Sequence, residues 1–216
     1  MSQGSKNFYA FPVAEIKRLM QRLWILEHLP KNAIGAELGV FRGHFSEFIV
    51  TNLTPKKFYM VDPWTLCGEF FGWKGQSEYF AYGALPTAFA RDEARGRVER
   101  FTETEVQIVE ASAFDFLRQL RKDIAATKAE PLDFVYLDAD HGYQFTKDIL
   151  PEIASVMTPE GIIAGDDWRK QPTAKHHGVY RAVQEFTKES NYQIMVAGPA
   201  AQFALRQTPN YDQIDG

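Results

Sequence analysis

Apolar and polar positions change period repeatedly along this chain. In "PVAEIKRLMQRLWILEHL" (12–29) apolar residues recur at three- and four-residue spacing, which predicts an amphipathic helix. From residue 33 onward, short apolar runs alternate with segments of helical period. The runs at 33–39, 57–62, 106–112, 132–138 and 161–165 predict five strands. The segments at 44–53, 86–101, 114–124, 144–157 and 179–189 predict helices, with a kink expected at Pro151 and a turn at "TPEG" (158–161). Two further strands, 192–198 and 202–207, are joined around Gly198-Pro199. That connection is too short for a parallel crossover, so one of the pair must run antiparallel. The predicted architecture is α/β: a three-layer, doubly wound, mainly parallel seven-stranded sheet with an antiparallel edge hairpin at the C-terminus. One domain is expected over 1–216, with a core of about 33–206 and a polar tail from 208.

Composition narrows the class. The 216 residues are 45% hydrophobic and 24% charged, as in ordinary globular chains. No apolar run is long enough to span a bilayer, and the first residues lack the pattern of a secretion signal. A single cysteine, Cys67, cannot form an internal disulfide; with the missing signal this suggests a cytoplasmic setting. The net charge of −4 argues against a nucleic-acid partner that needs a broad basic face.

Ligands of such sheets bind at the carboxyl ends of the strands, and the chemistry-bearing residues fall there. The first strand ends "GAELGVFRGHF", placing Glu37 just before Gly39 and Gly43. Glycines at a strand end let the backbone turn tightly and approach a ligand. Asp62 closes the second strand, where a carboxylate can accept two ribose hydroxyls. The spacing is not G-x-G-x-x-G, but the two features together favour a ribose-bearing cofactor over a plain strand-to-helix turn. "FVYLDADHGY" then places Asp138, Asp140 and His141 after the fourth strand, and "GIIAGDDW" places Asp166 and Asp167 after the fifth. If those strands are neighbours, Asp138, Asp166 and Asp167 meet on one rim. Clustered carboxylates repel and are costly to desolvate, and a hard divalent cation such as magnesium, manganese or calcium removes that cost. Arg169 and Lys170 are the alternative counter-charges, though Trp168 separates them from the acids. Asp140 is expected to cap the following helix. His176 and His177 could line the same cleft or simply belong to a polar loop.

These segments resemble class I S-adenosylmethionine (SAM)-dependent methyltransferases. More narrowly, "ELGVFRG", "VYLDADHGY" and "GIIAGDDW" are similar to segments of the metal-dependent O-methyltransferases, both the catechol and caffeoyl-CoA type and the macrolide-sugar type. The resemblance implies that Glu37, Gly39 and Gly43 line the methionine part of the cofactor, that Asp62 holds its ribose, and that Ser112 contacts adenine. It implies a divalent metal, most simply magnesium, on Asp138, Asp166 and Asp167. His141 falls where the catechol type carries a lysine base and the macrolide-sugar type a histidine. Asp167 departs from the asparagine of the catechol type.

The resemblance implies an O-methyltransferase for a small hydroxylated acceptor: a sugar, a catechol or another secondary metabolite. Rival readings are a metalloenzyme of other chemistry, such as a hydroxylase, and a non-catalytic nucleotide-binding protein on the same fold. Between Asp62 and the next helix, "PWTLCGEFFGWKGQSEYFAYG" crowds seven aromatics among glycines. That stretch (63–83) reads as a lid, as a satellite hydrophobic cluster or as a homo-oligomer contact.

Overall fold

The computed structural model describes residues 13–72 and 78–208. An amphipathic helix α1 (Val13–Arg22) runs into a 3-10 turn (Leu23–His28) that buries Ile25 and Leu26. The helix expected over 12–29 is therefore two pieces, and Pro12 lies outside the described residues. The alternation that follows is β1 (Ile34–Leu38), α2 (His44–Leu53), β2 (Lys57–Asp62), α3 (Thr87–Val98), β3 (Glu105–Glu110), α4 (Ala113–Ala125), β4 (Leu132–Leu137), α5 (Tyr143–Ala154), β5 (Met157–Gly165) and α6 (His177–Glu189). The chain closes with β6 (Tyr192–Gly198) and β7 (Gln202–Gln207).

The seven strands form one sheet in the order β3-β2-β1-β4-β5-β7-β6. β1 to β5 pair in parallel. β7 runs antiparallel between β5 and β6, so the expected hairpin closes the sheet with its second strand inside. β5 starts earlier than its apolar run: "TPEG" is strand, not turn. Pairing with β4 slips between Leu132 and Phe134, and this irregularity accommodates Pro159, which cannot donate to a ladder.

Alternating side chains put one apolar set on each face. Leu38, Val61, Val135, Leu137 and Ile163 pack under α4, α5 and α6. Phe58, Met60, Phe134, Tyr136 and Ala164 pack under α2, α3 and the N-terminal turn. With both faces covered, chemistry is left to the rim where the strands end. Among the described residues no helix is long and apolar enough to cross a membrane.

Candidate functional site

The rim is assembled by main-chain bonds that continue the sheet past its strands. Gly39 N–H donates to Val61 O, Asp138 N–H to Leu38 O at 2.8 Å, and Asp166 N–H to Leu137 O. Asp138 and Asp166 are thus delivered to adjacent positions beside the β1–β4 crossing point, where ligands of this fold class bind.

The glycines of the first loop are required by its shape. Gly39 has φ 93°, and a Cβ there would sit 2.1 Å from the Asp138 carbonyl oxygen. Gly43 has φ 73°, and its Cβ would fall 2.7 Å from Ala94 Cα on α3. Glu37 is 1% exposed and accepts the Ser46 hydroxyl. Burial holds its carboxyl well above the usual range, against the opposing Ser46 bond and the charge of Arg22. Asp62, at the end of β2, accepts N–H groups from Val40 (3.0 Å), Phe41 (2.9 Å) and Trp64 (2.9 Å). Its carboxylate therefore shapes the glycine loop, beyond the ribose contact the resemblance implies. Ser112 caps α4: its hydroxyl accepts Asp115 N–H at 3.1 Å and donates to the Asp115 carboxylate at 2.7 Å. Asp140 accepts Gly142 N–H at 2.6 Å. It closes a local turn, and Gly142 rather than Asp140 is the N-cap of α5.

The three rim acids come together, but not around one point. Arg22, the last residue of α1, reaches into the rim and is 3% exposed. One terminal nitrogen lies 2.7 Å from Asp138 Oδ2 and the other bonds Asp166 Oδ2. Burial pushes the Asp166 carboxyl up to about 7; the charge of Asp138 adds to this and Arg22 opposes it. Asp167, with φ 63°, turns away to His141, whose Nδ1 lies 3.0 Å from Asp167 Oδ2. Arg169 stands 3.8 Å from the other Asp167 oxygen. The imidazole of His176 packs edge-on against His141, with ring centroids 4.7 Å apart, whereas His177 bonds the Arg169 carbonyl. Burial lowers the His141 pKa, but the Asp167 bond and the surrounding carboxylates outweigh it, and the net shift is upward. For Asp167 burial raises the pKa, and the His141 bond reverses it to a net lowering.

The expected ligand set of Asp138, Asp166 and Asp167 therefore does not fit a divalent cation in this arrangement. Two of its members hold a guanidinium and the third orients an imidazole. Among the described residues no group of three or more histidines, cysteines, aspartates or glutamates is placed to hold a metal ion. Nor is the counter-charge Arg169 or Lys170 alone. Sequence reasoning missed Arg22, although a signal existed: it falls three residues after Leu19 and three before Ile25, both buried, on the apolar stripe of its helix.

Described aromatics of the 63–83 stretch pack against the glycine loop. The Phe41 ring lies 5.2 Å from Phe71 and 5.1 Å from Tyr79, and Trp64 Nε1 donates to Phe41 O. Arg42, fully buried, donates to Glu93 and to the Tyr79 carbonyl. Trp64 and Phe71 belong to the core cluster of that face, while Phe70 and Tyr82 stay exposed. Trp73 lies outside the described residues.

Comparison with curated proteins finds no match. Among solved structures the chain is similar to an O-methyltransferase from Bacillus cereus solved in complex with SAH (19% identity, TM-score 0.55, covering 92% of this chain and 83% of that one). It is similar to the O-methyltransferase TomG from Streptomyces achromogenes, involved in tomaymycin synthesis and solved with SAM (16% identity, TM-score 0.56, 92% and 82%). It is also similar to the N-methyltransferase NodS from Bradyrhizobium japonicum (14% identity, TM-score 0.52, 90% and 97%). At these identities the likeness establishes a shared fold. Residues 36–168, from β1 through the second acid cluster, match the family described as methyltransferase domain. With most of the sheet and every rim acid inside that match, the chain belongs to this methyltransferase family.

Proposed function

We propose that the protein is a SAM-dependent O-methyltransferase acting on a small hydroxylated acceptor, such as a sugar, a catechol or another secondary metabolite. The observation that carries this reading is the His141–Asp167 pair at the rim beside the glycine loop. Two of the similar structures, an O-methyltransferase with SAH and one with SAM, support the cofactor and the oxygen acceptor. The residues of the first loop fit such a cofactor: Glu37 is a buried carboxyl with no ion-pair partner among the described residues, ready to meet a ligand ammonium.

When bound, the cofactor supplies a methyl group already activated by its sulfonium. The chain must then align an acceptor oxygen and take its proton. The neutral His141 tautomer that donates Nδ1–H to Asp167 leaves Nε2 free to accept that proton. Asp167 keeps the ring in this tautomer and stabilises the imidazolium that forms. Asp62, through three backbone N–H groups, keeps the glycine loop in its turned form. The divalent cation that the resemblance implies on Asp138, Asp166 and Asp167 is no part of this reading, since it would require Arg22 to leave.

The test is a turnover screen with labelled SAM against catechols, sugars and glycosylated metabolites, comparing the native chain with His141→Ala. Transfer to an acceptor oxygen that is lost in the variant supports the reading. Transfer only to nitrogen, or transfer indifferent to His141, sinks it.

A further inference from the structure

We propose that the Arg22 guanidinium is the resident cation of the acceptor site and takes the place of a divalent metal, so that methyl transfer by this chain runs without one. The inference rests on the methyltransferase reading above and deepens it. Three observations carry it. The two Asp Oδ2 atoms that a shared cation would draw together are instead bridged by the two terminal nitrogens of one planar fork. A magnesium ion at its required ~2.0–2.1 Å from Asp138 Oδ2 would stand beside the guanidinium already 2.7 Å from the same oxygen, and the two cations would repel. The third carboxylate is directed to His141 and Arg169, so a metal entering the rim would have to break the base's support as well.

Arg22 cannot simply swing out. Its side chain is 4% exposed, and the next residues form the 3-10 turn that buries Ile25 and Leu26. Trp24 is tied to the Pro199 carbonyl at 2.8 Å. Withdrawing the guanidinium means lifting the end of α1 off the sheet and leaving two carboxylates with no buried counter-charge. Arginine also stays charged at any working pH, so the site holds its cation permanently and needs no loading step.

Manganese titration followed by electron paramagnetic resonance tests this on the full chain, first stripped with chelator. The native protein should bind no Mn²⁺, and Arg22→Gln should acquire a site that disappears again when Asp166→Asn is added. One Mn²⁺ per native chain, lost on Asp138→Asn, would overturn the proposal, as would a folded Arg22→Gln chain that gains no site. If Arg22→Gln does not fold, the native titration decides alone. SAH calorimetry on the same stripped sample separates the two claims. Absence of SAH binding would remove the methyltransferase reading, whereas the Mn²⁺ result still reports on Arg22.

Discussion

A loop histidine can serve as a base only if one nitrogen is free and the ring is held, and His141 meets both conditions through Asp167. Replacing His141 with Ala should lower kcat by roughly 10²–10⁴-fold while SAH affinity stays nearly constant. The pH profile carries more information. The net shift raises the folded His141 pKa, so the acid limb of kcat should lie at higher pH than an ordinary histidine would give. Asp167→Asn removes the partner that raises it, so the limb should move to lower pH as kcat falls; a limb that stays put would detach Asp167 from the base. Glu37 gives a second residue-scale prediction. Its folded pKa is raised, so its contribution to stability is present below the ordinary carboxylate range and is lost as pH rises. Glu37→Gln should therefore raise the Tm of the cofactor-free chain at mildly alkaline pH, with the gain fading toward acid, while weakening SAH binding. Unchanged SAH affinity would mean that Glu37 does not face the cofactor. Glu37, Asp138, His141, Asp166 and Asp167 were all legible in the sequence because each follows or ends an apolar run. Their partners were not, since Ser46, Arg22 and the turn of Asp167 toward His141 depend on packing between distant segments.

At the scale of elements, the loop from β1 to α2 is where shape is most constrained. A methyl at Gly43 would meet the α3 backbone at 2.7 Å, and φ 73° is strained for any other residue. Gly43→Ala should cost about 1–3 kcal/mol by forcing α2 and α3 apart, and thermal unfolding with SAH titration would read both stability and affinity. No loss in either would mean that the loop yields more than its packing suggests. Strands β1 to β4 were legible because each is a short apolar run with a glycine or an acid at its end. β5 was read too short because Pro159 and Glu160 look like a turn, while its bulged pairing with β4 keeps them in the strand. The aromatic stretch was ambiguous for a different reason. Its glycines erase any period, so only the fold shows Trp64 and Phe71 entering the core while Phe70 and Tyr82 face out.

At the scale of the whole molecule, Arg22 joins an N-terminal helix to the ends of two central strands, β4 and β5, at the point where the sheet would otherwise collect uncompensated negative charge. The mainly parallel sheet with its antiparallel hairpin was accessible from the alternation of elements, but this cross-link was not, because it spans 116 residues to Asp138 and 144 to Asp166. Removing one partner of a buried ion group typically costs about 3–5 kcal/mol, since the remaining charges stay desolvated. Arg22→Gln should therefore lower Tm, and the loss should depend on pH with a definite sign. The Asp166 carboxyl is already raised to about 7 with Arg22 opposing the rise, so without Arg22 it moves higher still. A carboxyl whose folded pKa is raised contributes stability at low pH that is lost as pH rises through that pKa. The Tm deficit of Arg22→Gln should thus be smallest in mild acid, where Asp166 is protonated, and largest above neutrality. Adding Asp166→Asn should remove most of this pH dependence and recover part of the stability. A deficit of equal size at every pH, unaffected by Asp166→Asn, would show that Arg22 acts through packing of its stem alone and that the rim charges are balanced by other groups.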